Sequence, residues 1–143
     1  MGLLLIVGCA TDDTGDSGSG ETGAEPADPN APVVESAEVS CYLHETGETY
    51  VQWTAGATAT DKQGLSTIET IGRIEVSDAG GAIGTQILVC ADGACTGSWR
   101  DGDMDIECDA VAVTTYDFAF IVVDIDGHES APLVVHAEKT TEG

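Results

Sequence analysis

Residues 51–60 read Val-Gln-Trp-Thr-Ala-Gly-Ala-Thr-Ala-Thr. Val51, Trp53, Ala55, Ala57 and Ala59 fall on one side of an extended chain. Gln52, Thr54, Thr58 and Thr60 fall on the other. This period of two is the mark of a half-buried strand, because successive side chains in β structure point to opposite faces. A helix would scatter the same residues around its axis. The stretch decides for a strand with one wet face and one face in a core.

The same texture extends in both directions. Upstream, Ala37, Val39, Cys41 and Leu43 alternate with Glu38, Ser40, Tyr42 and His44, and Glu45-Thr46-Gly47-Glu48 supplies a turn. Downstream, Ile74 with Val76 and Ile87 with Val89 continue the alternation. Residues 118–123, Phe-Ala-Phe-Ile-Val-Val, are apolar on both faces and predict a central strand. Leu133-Val134-Val135 predicts the closing strand, with a frayed tail beyond it. Only residues 61–71 have room for a helical turn. Asp92-Gly93 and Asp126-Gly127 sit between apolar runs, the strongest short-range hairpin signal, since a type I′ turn needs positive φ at both central residues. About seven short strands punctuated by turns predict an all-β antiparallel sandwich.

Composition sets limits on function. The chain has 143 residues, with 26 Asp plus Glu against 4 Lys plus Arg, a formal charge of −22. Nucleic acid is recognised through clustered cations on phosphates, and four scattered bases form no such footprint. Unaided approach to anionic lipid heads is disfavoured on the same ground. Aromatic residues are 5% of the chain, so the core is expected to be light, built of Ala, Val and Ile.

Residues 116–132, Tyr-Asp-Phe-Ala-Phe-Ile-Val-Val-Asp-Ile-Asp-Gly-His-Glu-Ser-Ala-Pro, are similar to the last two strands of fibronectin type III and related Ig-like modules. A Tyr, alternating apolar residues, an Asp, a Gly turn and then Ser and Pro before the final strand carry the likeness. Trp53 suits the core of such a module. The resemblance implies an Ig-like fold and no chemistry, because these sandwiches host many functions.

The N-terminal residues have a different character. Leu3 to Val7 form an apolar run far shorter than the roughly 20 residues of a membrane-spanning helix. Ile6-Val7-Gly8-Cys9 resembles the lipobox of bacterial surface lipoproteins. That resemblance implies cleavage before Cys9 and a diacylglycerol on its sulfur, with the basic segment of the signal expected upstream of Met1. Residues 10–31 hold six acids, no base and no aromatic residue, a composition that cannot offset its ordering entropy. The expected organisation is a signal remnant at 1–8, a lipidated cysteine with a disordered acidic linker at 9–31, and the sandwich at 32–143. Gly18-Ser19-Gly20-Glu21-Thr22-Gly23 spells GxGxxG, but no strand precedes it and no helix follows, so it predicts no nucleotide.

Apart from Cys9, the cysteines are Cys41, Cys90, Cys95 and Cys108. A two-residue turn at Asp92-Gly93 pairs Ala91 with Ala94 and sets Cys90 opposite Cys95, within disulfide reach. That leaves Cys41 with Cys108. Free thiols and a four-cysteine zinc site are the alternatives, and none of the spacings is the CxxC favoured by zinc.

Candidate sites are acidic. Asp101, Asp103, Asp105, Glu107 and Asp109 alternate, and on a strand they would form a ladder about 6.6 Å apart on one face. Such a ladder is a candidate calcium site, set against a plain solvated face. Asp124, Asp126 and Glu129, joined by Asp61, form a second candidate, set against simple turn chemistry. His44, His128 and His136 are dispersed and expected to be exposed. No nucleophile elbow, HExxH or P-loop pattern occurs, and no catalytic residue is assigned. The expected function is a non-enzymatic, lipid-anchored envelope protein. It would sit in the outer membrane, facing the periplasm or the cell surface, and present one Ig-like module to a protein or glycan. A calcium-dependent adhesion or matrix module, and a small secreted enzyme or enzyme inhibitor, are the alternatives.

Overall fold

The alternation at 51–60 becomes strand β2 (Tyr50–Thr60), with Trp53, Ala55, Ala57 and Ala59 buried and Thr54, Thr58 and Thr60 exposed. The computed structural model describes residues 29–141. β2 pairs antiparallel with β1 (Val33–His44), setting Cys41 opposite Trp53 and Val39 opposite Ala55. On the wet face the same ladder joins hydroxyls, Ser36 to Thr58 at 2.7 Å and Ser40 to Thr54 at 3.0 Å. Leu43 departs from the expected face at the strand's end and is exposed.

β3 (Ile71–Asp78), β4 (Gly81–Ala91), β5 (Ala94–Arg100), β6 (Asp117–Ile121), β7 (Leu133–Val135) and β8 (Ala137–Lys139) complete one sheet of order β7-β6-β3-β4-β5-β2-β1-β8. Two short 3-10 turns, Leu65–Thr67 and Ala112–Thr115, are the helical pieces of the described residues. The sheet is folded over on itself. β2 and β6 are far apart in its order, yet Trp53 lies 6.0 Å from Phe118, and Trp99 of β5 lies 6.5 Å from it, between ring centroids. β1-β2-β5 thus faces β4-β3-β6-β7, the strand order of an Ig-like sandwich. Tyr116 enters β6 with its hydroxyl accepting the Glu107 N–H at 2.9 Å, the corner device of such folds.

β6 is central as expected, flanked by β3 and β7, with Phe118 and Phe120 fully buried. The seven-strand expectation becomes eight because the last strand is broken at His136. β7 stays on β6, whereas β8 crosses to pair in parallel with Val39–Cys41 of β1. The stretch expected to fray therefore closes the fold.

Both disulfides form as the hairpin argument requires, Cys90–Cys95 and Cys41–Cys108. The β4–β5 turn is type I′ in its dihedrals, with φ of 51° at Asp92 and 85° at Gly93. Gly93 also meets β2 closely. A Cβ there would stand 2.5 Å from the Ala59 carbonyl oxygen, which itself lies beside the bond from the Ala59 N–H to the Gly93 oxygen.

The β4 expectation is corrected by the structure. Ile87 and Val89 are 61% and 57% exposed, while Leu88 and Cys90 point inward. Cys90 must face Cys95 inside the sandwich, and a strand's period of two then sends its aliphatic neighbours outward.

Candidate functional site

The Asp126-Gly127 hairpin is built differently from the first. Only Gly127 has positive φ, 91°, and its N–H donates to the Asp124 carbonyl while the Asp124 N–H donates to the His128 carbonyl. This is a three-residue connection with glycine in the left-handed position, not the type I′ turn expected. Asp124, rather than Asp126, organises it. One carboxylate oxygen of Asp124 accepts the N–H of Asp126 at 2.9 Å and of His128 at 2.8 Å, and the other lies 2.9 Å from Nδ1 of His128.

Asp124 is wholly buried and His128 half-buried, so His128 is not the exposed residue expected from sequence. Burial pushes the Asp124 carboxyl up. The His128 imidazole and the two backbone N–H groups more than offset this, and the carboxyl is held below its usual range. Asp126 is exposed beside them, and the ligand atoms of Asp124, Asp126 and His128 all lie within 4.8 Å of one another. A cation at this tip would meet an imidazole as well as carboxylates. That donor set suits zinc or a similar transition metal better than calcium, which takes oxygens. It would also compete with three donors already on Asp124.

The other members of this expected cluster serve elsewhere. Glu129 holds Arg73 through paired bonds of 2.8 and 3.1 Å, and Arg73 also reaches Glu75 at 2.7 Å. The Arg73 guanidinium keeps the Glu129 carboxyl below its usual range, and the two carboxylates raise Arg73. Asp61 accepts the Gln63 N–H at 2.8 Å in its own turn.

The Asp101–Asp109 ladder does not exist as a ladder. β5 ends at Arg100, and residues 101–109 form turns and irregular chain. Three of its acids satisfy nearby backbone instead. Asp101 accepts the Val51 N–H at 3.2 Å, and Asp103 accepts the Arg100 N–H at 3.1 Å. Asp109 accepts the N–H groups of Val111 and Ala112 at the start of a 3-10 turn, and these bonds lower its carboxyl. Asp105 and Glu107 are exposed. Burial does alternate from 103 to 109, with Met104, Ile106 and Cys108 partly or fully buried between exposed acids, but no strand pairs with the segment among the described residues, so it is not a strand.

His44 stacks on Tyr50 with ring centroids 4.5 Å apart, and His136 Nδ1 lies 2.9 Å from the Tyr116 carbonyl oxygen. Ser130 is buried, its hydroxyl accepting the Val122 N–H at 3.0 Å. Cys9 and residues 10–28 of the expected tether lie outside the described residues, while Ala31 at the tether's expected end is buried.

A groove of about 690 Å³, which sequence reasoning missed, opens between β4 and β5. Thr85, Ile87 and Val89 line one side, and Thr96, Gly97 and Ser98 the other, with Thr54 beyond them. No charged side chain contributes to it. Its signal in the sequence was the parity of β4, fixed by Cys90. No protein-family model, curated protein or solved structure matches the chain.

Proposed function

We propose that this chain is a non-enzymatic, lipid-anchored protein of the bacterial envelope, presenting one fibronectin type III-like module for binding or structural use. The observation that carries the reading is the arithmetic of its sulfur. Five cysteines occur, and four of them are joined in two disulfides within the sandwich. The one left over is Cys9, the residue at the lipidation position of Ile6-Val7-Gly8-Cys9. Two intramolecular disulfides fit an oxidising compartment beyond the cytosol. A thioether-linked diacylglycerol supplies two chains, and two give stable anchoring where one gives only marginal, reversible attachment. Residues 10–31, acidic and poor in apolar groups, suit a spacer between bilayer and module.

The test is fractionation of the protein expressed with its native upstream start. The wild type should sediment with membranes, partition into detergent and show the mass of a chain beginning at an acylated Cys9. Cys9→Ser should appear in the soluble pool at full length. If both proteins fractionate alike as soluble species, the reading is wrong.

A further inference from the structure

Residues 101–108 run as a strap from the end of β5 to the Cys41–Cys108 bridge. Both ends of the strap are fixed. The Asp101 N–H donates to the Val51 carbonyl at 3.0 Å, and the Asp101 carboxylate accepts the Val51 N–H at 3.2 Å. At the far end the Glu107 N–H donates to the Tyr116 hydroxyl, one residue before the disulfide. Between these anchors Met104 is half-buried and Ile106 buried, while Asp103 and Asp105 are exposed. Met104 lies against Gly84 of β4. A Cβ on that glycine would stand 3.2 Å from Cγ of Met104, 3.5 Å from Cε and 3.6 Å from Sδ. Gly84 is opposite Val76, which is opposite Phe118, and both of these are buried. Residues directly opposite in a sheet share a face. The side chain that Gly84 lacks would therefore point into the core, and the Met104 thioether fills that place at the core's rim.

We infer that Met104 is a modification site for uncharged hydroperoxides, and that its sulfoxide lifts the strap and opens the core beside β4. The sulfur inventory singles it out. Among the described residues the four cysteines are joined in disulfides, which leaves no thiolate to react, and Trp53 and Trp99 are buried. Met104 carries the one thioether of those residues and is partly exposed. Asp103 and Asp105 flank it in a chain of −22, a field that repels anionic oxidants and admits neutral ones. In the reaction a sulfur lone pair attacks one peroxide oxygen. The S–O bond forms as the O–O bond breaks, and water or an alcohol leaves. Sulfur gives up two electrons and the peroxide takes them. The step is reversible by a thiol-dependent reductase: two thiols become a disulfide, and the oxygen departs as water.

Oxidation converts this apolar side chain into a polar one. Over Gly84 the new oxygen would sit on an apolar floor, and a polar group buried without a partner costs more than one returned to water. The anchors at Val51, Tyr116 and Cys41 do not depend on the thioether, so the strap bows outward between fixed ends while the sandwich stays joined. What it uncovers is the inner row from Gly84 through Val76, with the half-buried Ile83 at its edge.

The full chain carrying Cys9→Ser, which has neither a spare thiol nor an acyl chain, tests this apart from the anchoring reading. Hydrogen peroxide at a dose that converts free methionine should add one oxygen to the peptide containing Met104. Hydrogen exchange compares the protein before and after. Amides at 82–86 and 102–106 should exchange at least about tenfold faster once Met104 is oxidised, the scale expected when part of a buried side chain's contact is lost. β1 and β2 should keep their protection. Methionine sulfoxide reductase with a dithiol should restore the original pattern. Met104→Leu keeps the packing without the sulfur, and its exchange should not respond to peroxide. Met104→Gln should show the opened pattern with no oxidant, circular dichroism checking that it remains folded. A Met104 that resists peroxide in the folded chain and yields only in urea overturns the site. Oxidation that leaves exchange at 82–86 unchanged overturns the opening, as does loss of protection throughout the sandwich. An equal response in Met104→Leu would place the effect elsewhere and overturn the proposal.

Discussion

At the residue scale, Asp124 shows how one buried carboxylate specifies a turn. Its oxygens take two backbone donors and an imidazole, and removing it leaves those donors facing a site with no acceptor. Asp124→Ala should therefore lower the urea midpoint more than Asp124→Asn, whose amide oxygen still accepts the backbone bonds. The acid response has a definite sign. Asp109, Asp124 and Glu129 are all held below the usual carboxylate range. The unfolded chain thus binds more protons, so the stability they supply is present above the unfolded values near 4 and lost as pH falls through the lower folded ones. Urea titrations at stepped pH should show Asp124→Asn with a shallower loss of stability below about pH 4. An unchanged slope would remove Asp124 from the acid response. At the core, Phe118 is fully buried against Trp53, Trp99 and Tyr116, and Phe118→Ala should cost about 3–5 kcal/mol in equilibrium denaturation.

At the element scale, the hairpins explain what could be read from sequence and what could not. Residues 51–60 announced β2 because alternation there agrees with burial at every position from Trp53 to Thr60 except the half-buried Gly56. Asp92-Gly93 announced its turn by its residue types, and the two-residue turn then set Cys90 opposite Cys95. β4 misled, because Ile87 and Val89 look like core by chemistry, and only the tertiary demand on Cys90 reverses their parity. The acids at 101–109 misled in the opposite way, since the alternation there is matched by burial of Met104, Ile106 and Cys108 but no neighbouring strand pairs with the segment among the described residues. β8 was hidden because its pairing with β1 joins residues about a hundred positions apart, as in Thr140 donating to the Cys41 carbonyl, and local pattern cannot see such contacts. The candidate site at the second hairpin was legible in its residues but not in its roles. Two measurements follow at this scale. The Cys41–Cys108 bridge spans 67 residues and Cys90–Cys95 spans 5, so loop-closure entropy assigns about 4 kcal/mol to the first and about 2 to the second. Paired Cys→Ala variants should rank in that order by denaturant midpoint. Gly93→Ala forces a side chain into positive φ and onto the Ala59 oxygen, and should cost more than about 1 kcal/mol.

At the scale of the whole molecule, net charge governs the response to salt. Most of the acids expected to gather a cation are spent on backbone or on Arg73, so calcium and sodium chloride at matched ionic strength should raise the melting temperature alike, as screening requires. A selective gain in calcium would reverse that expectation. The pairing of the first strand with the last also gives the module a mechanical character. β1 and β8 run parallel, so tension drawing residue 33 and residue 139 apart slides the two strands lengthwise and loads every bond between them together. Peeling, in which bonds break one at a time, is excluded by that direction. Should the strands part, the bridge from Cys41 to Cys108 still withholds its 67-residue loop from extension, roughly 230 Å of chain that stays slack. Pulled from its two ends, the module would act as a short leash with a covalent stop.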